Sequence, residues 1–264
     1  EFRRVLFRSA LPLRDLAPWP PPADATDTAA SARYDYVRVR VRRTVARAAP
    51  RADAAVVARH RLDDLLAWTG AAERGWLKRP GGGGFVKRAD VALLQPSTFA
   101  GELDPPLPLA FVRWSGRLWP GTARVHRYQR LPVLAMTRTQ VQVPGGKLGR
   151  GSVRLAVQRP RPPGVGAHDR WLHVDLDEQT LVAYQGDRPV LATLVSTGRT
   201  RTPTAQGLFR IYAKNVHSTM RRLGHAAYYA EEVPWVMHFH GGQALHGTYW
   251  HDGFGTPQIG RAHV

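Results

Sequence analysis

Trp171-Leu172-His173-Val174-Asp175-Leu176, Thr180-Leu181-Val182-Ala183-Tyr184-Gln185 and Pro189-Val190-Leu191-Ala192-Thr193-Leu194-Val195-Ser196-Thr197 are three apolar runs of strand length, rich in β-branched and aromatic residues. Between them lie Asp177-Glu178-Gln179 and Gly186-Asp187, residue types that close tight turns. The stretch therefore reads as an antiparallel meander. Downstream, Phe209–Lys214 supplies a fourth strand after Thr202-Pro203-Thr204, Trp235–His240 a fifth, and Ala244-Leu245-His246 opens a sixth.

Upstream, Arg159-Pro160-Arg161-Pro162-Pro163-Gly164 is a break, and before it the pattern is again mainly β. Tyr36-Val37-Arg38-Val39-Arg40-Val41-Arg42 alternates with strand period, which predicts a solvated arginine face and a buried valine face. Arg51–Trp68 is expected to form a short helix from its Ala and Leu content. Gly75-Trp76-Leu77-Lys78 and Phe85–Val91 fit two short strands flanking the Gly81–Gly84 turn. The order strand, strand, Gly-rich turn, strand recurs weakly through Phe111–Trp114, Leu131–Ala135, Val141–Val143, Gly145-Gly146 and Ser152–Val157. Two small modules are thus expected, at residues 34–93 and 106–158, each able to fold apart from the region after the break. Residues 10–33, with Pro20-Pro21-Pro22, read as a Pro/Ala-rich linker.

The chain has 264 residues, with 38 Lys+Arg against 20 Asp+Glu for a net charge of +18. No run approaches the ~18 apolar residues of a membrane-spanning helix. Only four of the basic residues are lysines, a bias expected of GC-rich coding, so charge alone does not point to nucleic acid. There is no cysteine, which removes disulfides and thiolate metal sites. Glu1–Ser9 and Gln258–Val264 can be encoded by one sequencing-adapter oligonucleotide read on opposite strands. Residues 1–9 and 258–264 are accordingly expected to be scars that make few native contacts, and the natural termini to be missing. Without them the count is 34 basic and 19 acidic residues, or +15.

Trp171–Pro257 carries a family resemblance in His173-Val174-Asp175-Leu176 with Gln179-Thr180-Leu181, in Thr193–Gly198, in Thr202-Pro203-Thr204 before Gly207 and Phe209-Arg210-Ile211, in Val233-Pro234-Trp235, and in Ala244–Asp252. These segments resemble the catalytic domain of the L,D-transpeptidases, cysteine enzymes that cross-link bacterial peptidoglycan. The half before the break is similar, less specifically, to SH3-like modules. The resemblance implies a mainly β architecture: one or two SH3-like barrels, then an L,D-transpeptidase-type β-sandwich over residues 169–257. In that family His-Gly-Thr is followed, after Phe-Gly-x-Pro-x, by Ser-His-Gly-Cys. The nucleophile would fall at position 262, where this sequence has Ala262 inside the adapter-encoded segment. A domain truncated before its nucleophile, and inactive, is the expectation.

The resemblance further implies that His246 is the general base, with a backbone carbonyl at or near Gly247 fixing its tautomer, and that His251, His240 and Trp235 line the donor cleft. Met220 and Tyr228-Tyr229 fall where a substrate lid would sit, though packing on the sheet is the simpler reading. No cofactor and no metal is implied. The partner would be peptidoglycan stem peptides, not nucleic acid, and the chain a monomer in the periplasm or cell envelope, reaching the membrane only through a missing N-terminal signal or anchor. Two other readings stand beside this one. His238-x-His240 with His246, His251 and Asp252 or Glu231/Glu232 could form a metal hydrolase site. The upstream half and the positive charge could instead serve a non-catalytic wall-binding or anionic-polymer-binding protein.

Overall fold

Thr180–Gln185 is the strand around which the molecule is layered, because both of its faces are covered. Leu181 and Ala183 point into one core with Val174, Val190, Ile211, Phe239 and Leu245. Val182 and Tyr184 point into another, with Trp171, Ala192, Leu109, Phe111 and Ala156. A strand covered on both sides needs apolar residues at consecutive positions, which is why this run is continuous and not alternating. In this computed structural model the described residues are 4–9, 34–222 and 228–258, with only the backbone described for residues 4–9 and Arg222.

The meander forms as read. Arg170–Asp175, Thr180–Gln185 and Arg188–Leu194 pair antiparallel in succession. In the first turn Asp175 Oδ1 accepts the amides of Asp177 and Glu178 at 3.1 and 3.0 Å, and Gln179 takes a left-handed φ of 55°. The complete sheet adds Glu102–Leu103 at one edge and Arg4–Ser9 and Gly207–Ile211 at the other. Arg4–Ser9 overturns the expectation of poor packing. It pairs antiparallel with Arg170–Asp175 on one side and parallel with Gly207–Ile211 on the other. The sheet leaves a strand-wide gap between those two partners, and Val5-Leu6-Phe7 is composed of strand-forming residue types. At the other end, Gln258 bridges to Gly198, and the remaining terminal residues lie outside the described ones.

The expected fourth strand is two strands. Gly207–Ile211 ends in the first sheet, and after Tyr212 the chain enters a long hairpin, Ala213–Arg222 with Tyr228–His240, in a second sheet. That sheet continues without a break into the N-terminal region, in the order Ala213–Arg222, Tyr228–His240, Leu65–Trp68, Asp35–Val39, Val91–Leu93. Met220 and Tyr229 are hairpin strand residues, with Met220 buried opposite Ala230.

Val37 and Val39 are fully buried as the alternation requires, while half-exposed Arg38 donates from Nη2 to the Trp250 carbonyl at 3.0 Å. Arg51–Trp68 is not a helix. Val56–Arg61 and Leu65–Trp68 are strands, separated by a turn in which Asp63 has φ 69°. The Ala/Leu count misleads here because Val56-Val57 and the Asp63-Asp64 turn favour strands, and Leu65-Leu66-Ala67 is buried on both faces. Among the described residues the only helical pieces are 3₁₀ turns, Arg88–Asp90 and Arg150–Ser152. Each follows a strand-turn-strand unit and leads into a further strand, Val91–Leu93 in one case and Val153–Ala156 in the other.

The Pro-rich break divides the sequence but not the packing. Glu178 accepts the Leu155 amide at 2.8 Å and forms an ion pair with Arg150, and Thr180 Oγ1 donates to the Leu155 carbonyl at 3.2 Å. Tyr36, Leu65 and Ala67 share a core with Met220, Ala230, Val233 and Val236.

Candidate active site

His246 follows the short strand Gln243–Leu245, which pairs with Tyr228–His240 through Met237↔Leu245 and His238↔Ala244. The pairing is extended by the Gly247 amide, which donates to the Pro234 carbonyl at 2.8 Å. A Cβ at position 247 would lie 2.9 Å from Pro234 Cγ, so only glycine allows the two segments to approach this closely. His246 is 1 % exposed, and its Nδ1 lies 2.8 Å from the Gly247 carbonyl oxygen. Since a carbonyl can only accept, Nδ1 carries the hydrogen, and in the neutral ring Nε2 is left with its lone pair. The Trp250 ring lies beside the imidazole at 5.8 Å between centroids.

Next to this turn opens a cleft of about 610 Å³. One wall is Pro234, Trp235, Gly247, Thr248 and Tyr249, and the other is Tyr34, Asp35 and Tyr36 with Pro96, Ser97 and Phe99. Two aromatic contacts fix the walls. Tyr36 and Tyr249 stack at 3.6 Å between centroids, and Tyr249 donates its hydroxyl to the Glu231 carbonyl at 2.6 Å. Burial pushes the Tyr249 phenol well above its ordinary pKa and the Tyr36 phenol up to about 12, the nearby Glu232 carboxylate adding to the latter. Both phenols remain neutral donors at physiological pH.

The floor behind the cleft is the return segment after His251. Gly255 and Gln258 donate to the Val195 and Thr197 carbonyls, each at 2.9 Å, and Ser196 Oγ donates to the Gly253 carbonyl at 3.1 Å. Gln179 anchors the same place, bonding Thr197 through both ends of its amide.

The expected site residues are distributed unevenly. Trp235 and Gly247 line the cleft, Trp235 from a left-handed φ of 57°. His251 lies beside it, 5.5 Å from the Phe254 ring, and its Nδ1 accepts the Gly253 amide at 3.1 Å. Burial first, and Arg38 second, hold the His251 pKa below the usual histidine value against the opposing pull of Asp252. His240 is at the far end of its strand, exposed beside Phe209 at 5.0 Å, and is not a cleft residue. Position 262 lies outside the described residues. Among the described residues no three His, Cys, Asp or Glu side chains group in a way that could hold a metal ion, so the histidine cluster suggested by spacing does not assemble there. The wall formed by Tyr34–Tyr36 and by Pro96, Ser97 and Phe99 was not legible in the sequence, since nothing in either segment marks an approach to residues so far along the chain, at positions 234 to 249.

Residues 169–263 match the family model of the L,D-transpeptidase catalytic domain (YkuD). Comparisons with curated proteins and with solved structures gave no match.

Proposed function

We propose that residues 169–258 form the acyl-transfer scaffold of a peptidoglycan L,D-transpeptidase, and that this chain, which contains no cysteine, performs no transfer itself. The observation that carries the reading is the His246–Gly247 arrangement. The Gly247 carbonyl holds the proton on Nδ1 and thereby presents Nε2 as a base at the family's motif position. In an enzyme of this family the imidazole takes the proton of a cysteine thiol, and the thiolate attacks the donor peptide carbonyl to give a thioester. The departing amine leaves with the proton from the imidazolium. An acceptor amine then attacks the thioester, returns a proton to the imidazole and releases the thiolate. Ala262 can form no such thioester.

The cleft between the Trp235–Tyr249 wall and the Tyr34–Tyr36 wall is the proposed seat of the stem peptide, with half-buried Trp235 as its contact and the buried Tyr36–Tyr249 stack holding the walls in place. We take residues 34–93 and 106–158 as SH3-like modules, the first of which completes this cleft. The partner is peptidoglycan and the location the cell envelope. The test is intact-mass measurement after exposure to a carbapenem, an acylating probe of such cysteines. No adduct is expected on this chain, and a stable covalent adduct would show a nucleophile other than cysteine and overturn the reading.

A further inference from the structure

A second concavity, of about 520 Å³, lies on the first module and shares no lining residue with the Trp235–Gly247 cleft. Arg43, Arg47, Arg59, Arg61 and Lys87 line it, and Asp90 is the only carboxylate among the residues around it. The hairpin register explains the concentration of charge. Arg43 stands directly opposite Arg61, and Arg59 opposite Val45, so three guanidinium groups share one face of the Arg43–Arg47/Val56–Arg61 pair. Like charges directly opposed across a ladder are unfavourable. Among the described residues no carboxylate pairs with Arg43, Arg59, Arg61 or Lys87 to relieve them. Asp90 is already engaged, its Oδ2 accepting the Thr44 hydroxyl at 2.5 Å. His60, 4 % exposed, lines the same concavity, and its buried Nε2 has no hydrogen-bond partner among the described residues.

We propose that this cleft binds a phosphate-bearing polyanion without stacking bases, such as a polyol-phosphate or sugar-phosphate chain. Guanidinium forks match phosphate oxygens two at a time, and a single monocarboxylate would answer only one of five cations. A nucleic acid fits less well. Base recognition in single strands requires exposed aromatic faces, whereas the two rings in the concavity, His60 and Trp76, are 4 % and 6 % exposed, and Trp76 carries the Lys87 ammonium 5.6 Å from its ring centre.

The experiment uses the chain as it stands and titrates a synthetic glycerol phosphate oligomer by calorimetry. Two triple variants are compared with it: Arg43→Gln/Arg59→Gln/Arg61→Gln in the concavity, and Arg138→Gln/Arg201→Gln/Arg210→Gln, which removes equal charge from exposed positions elsewhere. Loss of charge-assisted bonds in the first should weaken binding by about tenfold or more, while the second stays near wild type. The melting temperature of the first variant should be unchanged or higher, because a repulsive pair has been removed, and this separates lost binding from lost folding. Equal weakening in both variants would show diffuse charge attraction and overturn the proposal, as would no binding of the oligomer to the wild type. Tighter binding of a single-stranded DNA oligomer, lost in the first variant, would overturn the assigned occupant.

Discussion

Position 247 has no room for a side chain. Gly247→Ala would force a methyl group against Pro234 and move the carbonyl that holds the His246 tautomer. A loss of about 1–3 kcal/mol in stability is expected, measured by denaturant unfolding. His251 makes a pH prediction whose sign follows from the depressed pKa. The unfolded chain binds its proton first, so the His251 contribution is complete above the unfolded value, about 6.5, and is lost as the pH falls through the window below it. Protonation would also convert Nδ1 from acceptor to donor and break its bond from the Gly253 amide. His251→Gln should therefore flatten the fall in melting temperature between about pH 7 and pH 5. An unchanged slope would mean that other groups set it. At this scale the sequence is a good guide where a short motif carries the geometry, as at His246-Gly247. It fails where the partner is remote. His238-x-His240 suggested a metal site by spacing alone, and the structure turns His240 to the surface beside Phe209.

The element on which the site depends is the hairpin Ala213–Arg222/Tyr228–His240. Its second strand was legible only from Trp235 onward, because Glu231, Glu232 and Pro234 disrupt any apolar pattern. The reason they are tolerated lies in the other half of the molecule. Buried Glu231 forms an ion pair with Arg79, accepts the Ala67 amide at 3.1 Å and accepts the Tyr229 hydroxyl at 2.6 Å. Two positive φ values, at Glu232 and Trp235, then redirect the strand past the cleft. Glu231→Gln leaves a buried guanidinium uncompensated and should cost about 3–5 kcal/mol in chemical denaturation, whereas Arg79→Met/Glu231→Leu should cost much less than the two single changes together. Additive losses would show that the two side chains do not act as a pair.

For the whole molecule, composition, strand runs and the family resemblance led to a mainly β chain, but not to the way its parts are joined. A Pro-rich break looked like a boundary between independent domains. Instead one sheet runs from Ala213–Arg222 through Asp35–Val39, and Leu109, Phe111 and Ala156 cover the outer face of the meander. Long-range pairing of this kind leaves no local pattern to read. Excised residues 34–157 should expose those apolar faces, bind a hydrophobic dye and lose cooperative melting, while the full chain unfolds in one transition. A sharp, dye-free transition for the excised segment would contradict the continuity of the cores.

The most direct measurement installs a thiol nucleophile at the spacing the family uses. Ile259→Ser, Gly260→His, Arg261→Gly and Ala262→Cys together place Ser-His-Gly-Cys at the family spacing from His246. The substituted protein, exposed to a carbapenem and weighed intact, should gain one carbapenem mass, and the same protein with His246→Ala should acylate slower by orders of magnitude. A cooperatively folded quadruple variant that stays unmodified, or one that acylates equally fast without His246, would contradict the assignment of this site to acyl transfer.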